Sequence, residues 1–254
     1  MPTVTLLQKL YASIPLKMAE SEIQASCEGL DATVKATGTT SQGWLRLTIS
    51  GEDEVAALNL LRKEFGIAPD NVKNIKEGNT YSGKIAPSGK SDMEIHIDIG
   101  VFLPRPMIAT ISIQHLQSQL ADGKRLSLQR LRQVFCLIDN FPMEILIKHV
   151  HSKQGILTAE LGEKQILLIS NWETSNLDRL VVVGAFLKTI ENALTNSGHS
   201  RDIAEIENLG AFEHLVVCKL GTNAVGLIPR LGRLIPDAVF GVFSPTEISR
   251  LVKA

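Results

Sequence analysis

Aromatic residues are scarce in this chain. Phe, Trp and Tyr make up 5% of its 254 residues, with two Trp and two Tyr. That argues against a carbohydrate-binding or aromatic-cage module, which needs several rings on one surface. Neither sign of charge is in excess: 26 Lys and Arg stand against 27 Asp and Glu. Nucleic-acid binding therefore has to come from a local patch. No window reaches the ~18–20 consecutive apolar residues of a membrane helix. The opening residues Met1, Pro2, Thr3 and Val4 lack the basic and apolar regions of a signal peptide. The three cysteines, Cys27, Cys136 and Cys218, are odd in number and widely spaced, with no CxxC pair. These are the reduced thiols expected of a cytoplasmic protein, and no metal site or cofactor is expected.

What is present is an ordinary folding composition, 44% hydrophobic and 21% charged. Charge is uneven along the chain: residues 1–70 carry net −3, residues 71–150 net +3 and residues 151–254 net −1. The middle segment is where an anionic partner is expected to dock.

Residues 1–70 read as an N-terminal α+β unit, with strands over 3–11, 32–36 and 43–50 and helices over 19–30 and 51–66. Strand, helix, strand, strand, helix is most of a ferredoxin-like unit. Residues 67–74, with Pro69, Asp70 and Asn71, read as a linker. In 71–150, Gly78, Gly83, Gly89 and Gly100 punctuate short strands. Residues 93–99 alternate strictly, with Met93, Ile95, Ile97 and Ile99 on one face and Glu94, His96 and Asp98 on the other. Strands over 79–85 and 107–113, a helical stretch 114–137 split at Gly123, and a strand over 142–149 suit a small closed barrel of OB type. Residues 151–254 predict a second α+β unit: a hairpin over 155–161 and 164–170, a long helix over 177–195, strands over 201–207, 213–219 and 238–244, a helix over 222–234 and a final helix from Pro245. The expected fold is thus α+β and multi-domain, an S1-like OB β-barrel flanked by two α+β (ferredoxin-like) units.

Glu77, Gly78, Tyr81, Gly83, Lys84 and Ile85, followed by His96, Ile97, Asp98, Ile99 and Gly100, resemble the opening of an S1-type RNA-binding domain. The third-strand Gly-x-hydrophobic-His signature of that family is absent, and Met107, Ile108, Ala109 and Thr110 stand there instead. Over its length the chain resembles an archaeal family known as domain of unknown function 2110. That resemblance is carried by residues 50–54, 96–100, 177–180, 201–203 and above all 213–222. It implies an archaeal cytoplasmic source and an S1-like centre, and supplies no activity.

Four sets of side chains are candidates for chemistry. Tyr81, Lys84, His96, Phe102 and Arg105 could form a barrel face that stacks bases and tracks phosphates; equally, Tyr81 and Phe102 could fill the barrel. Lys124, Arg125, Arg130 and Arg132 include a stripe, Arg125, Gln129 and Arg132, if 125–135 is helical; a solvated face is the other reading. His199, Asp202, His214 and Cys218 invite a nucleophile reading, but alternation places Cys218 inside a sheet, where a buried inert thiol is commoner. Lys219, Gly221, Thr222, Gly226 and Arg230 form a Gly-containing turn into a helix that could hold an anion, without the Gly-Lys-Ser/Thr ending of a P-loop; the other reading is a capped helix whose Gly residues permit close packing. The expected function is a non-catalytic RNA-binding protein of translation or RNA metabolism, with RNA or a ribonucleoprotein as partner. The alternatives are a protein–protein scaffold using the barrel and a nucleotide- or RNA-directed enzyme.

Overall fold

The computed structural model describes residues 1–87, 92–151 and 153–252; Gly89 lies outside them. The chain begins β1 (Thr3–Lys9), α1 (Leu16–Ser26), β2 (Thr33–Thr39), β3 (Trp44–Ser50) and α2 (Glu54–Phe65). The strands form an antiparallel sheet in the order β1-β3-β2. Ala19 and Ile23 of α1 and Ala57 and Leu61 of α2 bury against Leu6, Val34, Leu45, Leu47 and Ile49 on one face. The other face carries Leu7, Lys9 and Trp44, and it is turned onto the rest of the chain.

The expected linker is a strap. Leu7 N donates to Gly66 O at 3.1 Å and Ala68 N to Thr5 O at 2.8 Å, so residues 66–68 run as the vestige of a fourth strand beside β1. The chain then forms β4 (Asp70–Asn71), which pairs parallel with the next sheet. One short segment is hydrogen-bonded to both, which a flexible linker is not.

The centre consists of β5 (Thr80–Ile85), β6 (Glu94–Leu103), β7 (Met107–Ser112), α3 (Ile113–Leu120), α4 (Leu128–Val134), β8 (Pro142–His151) and β9 (Ile156–Leu161). Pairing runs β6-β5-β8-β9-β7 and closes through β6–β7, with β7 and β9 parallel. Five strands closed in this order, with helices between the third and fourth, are the OB connectivity. Ile95, Ile97 and Ile99 point inward, as the alternation predicts, but Met93, expected on the same face, precedes the strand and is exposed. Gly83 is required by closeness: a Cβ there would sit 2.5 Å from the carbonyl oxygen of Asp98 on the neighbouring strand.

Two expectations fail next. Residues 155–161 and 164–170 do not form a hairpin. The first is β9, the last barrel strand, and the second lies in α5 (Glu163–Thr174). The run Ile166–Ile169 looks continuous, but Gln165, Ile169 and Trp172 bury one helical stripe. The long helix over 177–195 is also absent. β10 (Arg179–Val183) is a strand buried along its length, ended by Gly184 at φ 88°, and α6 (Leu187–Asn196) follows. Then come β11 (Ile203–Asn208), β12 (Glu213–Cys218), α7 (Ile228–Leu234), β13 (Val239–Phe243) and α8 (Pro245–Val252). The antiparallel order β11-β12-β10-β13 is that of a complete ferredoxin-like unit. Leu180 and Val182 face α6 and α7. Val181 and Val183 face a core continuous with the barrel's, in which Trp172 lies 6.3 Å from Phe141 and 5.2 Å from Phe243, ring centre to ring centre. No described helix is long and apolar enough to cross a membrane.

Candidate nucleic-acid interface

Three turns meet at one end of the barrel: 72–79 before β5, 104–106 between β6 and β7, and the connection between β8 and β9, of which 153–155 are described. Two of the expected binding residues hold them in place. The Tyr81 hydroxyl accepts from Lys76 N at 2.8 Å and donates to Asn74 O at 3.1 Å. The Arg105 guanidinium donates to Lys153 O at 2.5 Å. Glu77 Oε1 accepts from Val150 N at 2.7 Å, tying the first turn to β8. On this frame Lys73, Lys76, Arg105, Lys148 and Lys153 are exposed, with His149 and His151 beside them, rings 6.1 Å apart. The acids among them are Glu77, 4.0 Å from His149, and Glu160, 3.0 Å from Lys148. All of these cations except Arg105 escape a reading of the sequence, because the turns that bring them together are 25 residues or more apart in the chain.

Beside this rim, the outer wall of β6, β7 and β9 presents cross-strand rows: Glu94 with Ser112, His96 with Thr110 and Thr158, and Ile108 with Ile156. His96 Nε2 lies 3.1 Å from Glu94 Oε1. His96 is the one ring in these rows, and Phe102 is partly buried near their end. The wall is closed off farther along β6. There Asp98 is buried by Lys9 Nζ at 3.1 Å and Trp44 Nε1 at 3.0 Å, and it accepts from Gly100 N at 3.0 Å.

Lys84 is a correction. It faces outward from β5 yet is 2% exposed. Its ammonium donates to Glu213 Oε1 at 2.7 Å, an oxygen that also accepts from the Tyr11 hydroxyl. The rings of Tyr11 and Trp44 lie 5.7 and 5.9 Å away. Burial pushes the Lys84 ammonium down from its ordinary pKa, and burial beside Glu213 pushes the Tyr11 phenol up. This side chain joins three parts of the molecule and is not exposed to a partner.

The basic stripe is a second correction. Arg125 precedes α4, so Arg125, Gln129 and Arg132 do not share a helix face. Arg130 donates to Gln133 at 2.8 Å and Arg132 pairs with Asp139 at 2.6 Å. With Lys124 they lie at the barrel end opposite the rim. The anion turn is a third. Asn223, not Thr222, caps the short helical turn at Ala224–Leu227, accepting from Val225 N at 2.9 Å. Asp178 accepts from Ala224 N at 3.3 Å, so a carboxylate already occupies the place an anion would take. Lys219 donates to Arg201 O and Arg230 to Ser197 O, and Gly221 and Gly226 have open space around them. Cys218 is fully buried; burial first, then Asp178 and Asp202, push its thiol up to about 11, so it carries no thiolate at neutral pH. His214 lies between Asn208 Oδ1 at 2.9 Å and Ala185 O at 3.1 Å, and His199 pairs with Asp202 at 2.9 Å. Among the described residues no three His, Cys, Asp or Glu groups could hold a metal together.

Among solved structures, a chain of the a/eIF2alpha–aDim2p–rRNA complex from Pyrococcus horikoshii is 11% identical with a TM-score of 0.27, over 61% of this chain and 68% of that one. The intact alpha subunit of aIF2 from Pyrococcus abyssi is 8% identical with a TM-score of 0.25, over 66% of this chain and 96% of that one. A putative exosome complex RNA-binding protein is 11% identical with a TM-score of 0.23, over 64% of this chain and 94% of that one. At scores this low, strand connectivity and not these chains defines the barrel. No curated protein matches the sequence significantly. Family models of the DUF2110 N-terminal, central and C-terminal domains match residues 3–71, 75–173 and 177–243, and because together they span nearly the whole sequence, the chain belongs to the DUF2110 family.

Proposed function

We propose that the protein is a non-catalytic RNA-binding protein of the cytoplasm, acting in translation or RNA metabolism, and that the turn end of the barrel holds the RNA. The observation that supports this reading is the collection of Lys73, Lys76, Arg105, Lys148 and Lys153 on one braced rim in a chain of net charge −1. Cations gathered this way release counterions from a phosphate backbone, and that is the main source of sequence-independent affinity. For stacking, the adjoining wall offers His96 and the rim His149 and His151, with no exposed Phe, Tyr or Trp among the described residues, so binding is dominated by phosphates, strongly dependent on salt and tolerant of sequence.

Fluorescence anisotropy with single-stranded and structured RNA tests the reading. At low salt the expected Kd lies below ~100 µM. The slope of log affinity against log salt should shrink by about one for each of Lys73→Ala and Lys153→Ala. Affinity weaker than that limit, or a salt slope indifferent to both substitutions, removes the reading. A second reading, a protein-binding scaffold, is supported by Ile108 and Ile156, paired across the same wall and 36% and 42% exposed, with Leu103 at its end. It predicts a partner that stays bound after nuclease treatment.

A further inference from the structure

A cleft where the barrel meets its two flanking sheets lies away from the rim. It has a volume of about 410 Å³ and is walled by three parts of the chain: the end of α2, the β5–β8 side of the barrel, and α5 with the Asn208–Leu209 turn. Clefts of this size between units are where small molecules bind.

One group in it lacks a partner. Gln165 is 4% exposed, and its Oε1 accepts from Glu144 N at 3.1 Å. That bond fixes the orientation of the amide and leaves Nε2 buried with no acceptor among the described residues. Buried amide donors are nearly always paired, so an orphan on a cleft wall points to an acceptor that the protein does not supply. Leu7, Phe141, Met143 and Leu168 make the walls beside it apolar. At the mouth stand Arg62 and Lys63, both exposed. Of the carboxylates there, Glu144 faces Lys164 at 3.6 Å, and Glu64 follows Lys63 on α2. Deeper in, the Lys84 ammonium is already matched by Glu213, so the floor does not call for an anion. The arrangement asks for a molecule with a neutral acceptor inside, an apolar body, and an anion at the mouth.

We propose that this cleft binds a ribonucleoside monophosphate, with an acceptor on the base edge meeting Gln165 Nε2 and the phosphate meeting Arg62 and Lys63. The group could belong to free nucleotide or to the phosphorylated end of an RNA, since both present the same chemistry. The proposal does not depend on the cationic rim.

Isothermal titration of the full chain with the four ribonucleoside 5′-monophosphates tests it. At least one should bind below ~1 mM, and its nucleoside should bind about tenfold more weakly. Gln165→Leu should cost about tenfold, the worth of one hydrogen bond to the base. Should Gln165→Leu fail to fold, Arg62→Ala with Lys63→Ala, both on the surface, should remove the preference for nucleotide over nucleoside. Lys73→Ala and Lys153→Ala should leave nucleotide affinity unchanged, which keeps failure here distinct from failure of RNA binding at the rim. Competition by a 5′-phosphorylated RNA and not by its 5′-hydroxyl counterpart assigns the phosphate to an RNA end; competition by neither assigns it to free nucleotide. Absence of binding by all four nucleotides, or binding indifferent to both sets of substitutions, overturns the proposal and leaves Gln165 with a water.

Discussion

The barrel is joined to its two flanking sheets by opposite means. On the C-terminal side the joint is apolar: Trp172 sits between Phe141 and Phe243, and Ile169, Val181 and Val183 continue the barrel core without a break. On the N-terminal side it is ionic: Lys9 meets Asp98, Trp44 donates to the same carboxylate, and Lys84 and Tyr11 converge on Glu213. An apolar joint gains from every Å² removed from water and tolerates small shifts. A buried ionic joint gains little net free energy, because desolvation offsets attraction, but it penalises any arrangement that leaves one charge alone. The first holds the parts together, and the second fixes their registry. Because Glu213 comes from the C-terminal sheet and Tyr11 from the segment that follows β1 in the N-terminal unit, the ionic joint specifies all three parts at once.

The apolar joint should show the largest single effect. Trp172→Ala removes the ring shared by barrel and sheet and should cost ~3–5 kcal/mol of unfolding free energy. Chemical denaturation measures it, and a loss under ~1 kcal/mol would mean that the two parts do not share a core. The ionic joint should respond differently. Glu213→Leu alone strands the Lys84 ammonium and should cost ~3 kcal/mol. The triple variant Tyr11→Phe, Lys84→Met and Glu213→Leu removes both charges of the Lys84–Glu213 pair and the phenolic hydroxyl together, leaves the Lys9–Asp98 pair in place, and should return to within ~1 kcal/mol of the parent. If the triple is no more stable than Glu213→Leu, the joint stabilises by attraction and the contrast fails.

The same contrast explains what could be read in advance. The barrel strand within 93–99 was legible because Ile95, Ile97 and Ile99 are buried while Glu94 and His96 between them stay partly exposed, so its alternation shows in the residues; only Asp98 departs, buried by Lys9 and Trp44. β10 was not, because Leu180 and Val182 pack on one side and Val181 and Val183 on the other, which erases any period of two. α5 was misread for a related reason: Leu167 and Leu168 fill in between the helical stripe and mimic a buried strand. Lys84 carried a local motif, but its partner is 129 residues away, and no local pattern announces so distant a charge. The rim lysines and Gln165 share that difficulty, since each acquires meaning only from the turn or helix folded beside it.

Alkaline titration separates the two joints by the pH at which each responds. Cys136 belongs to the apolar side, packed so close to β13 that a Cβ on Gly241 would lie 2.5 Å from its sulfur. Burial pushes its thiol from 9.0 up to about 12. Above pH 9 the unfolded chain releases this proton and the folded chain keeps it, so stability falls as pH rises. Cys218, raised from 9.0 to about 11, adds to the same limb. Tyr11, on the ionic side, is raised from 10.0 and begins to cost stability only above pH 10. Lys84 acts in the opposite sense. Its pKa is lowered from 10.5, so the unfolded chain holds the extra proton and stability gains as pH rises towards 10.5. The unfolding midpoint in denaturant, followed from pH 8 to 11, should therefore fall from about pH 9. Cys136→Ala should flatten the limb between pH 9 and 10, whatever it does to the midpoint at pH 8, while Tyr11→Phe should leave that limb alone and flatten only the part above pH 10. If Tyr11→Phe instead leaves the part above pH 10 as steep as in the parent, the phenol is not held by burial beside Glu213, and the ionic joint is wetter than the apolar one.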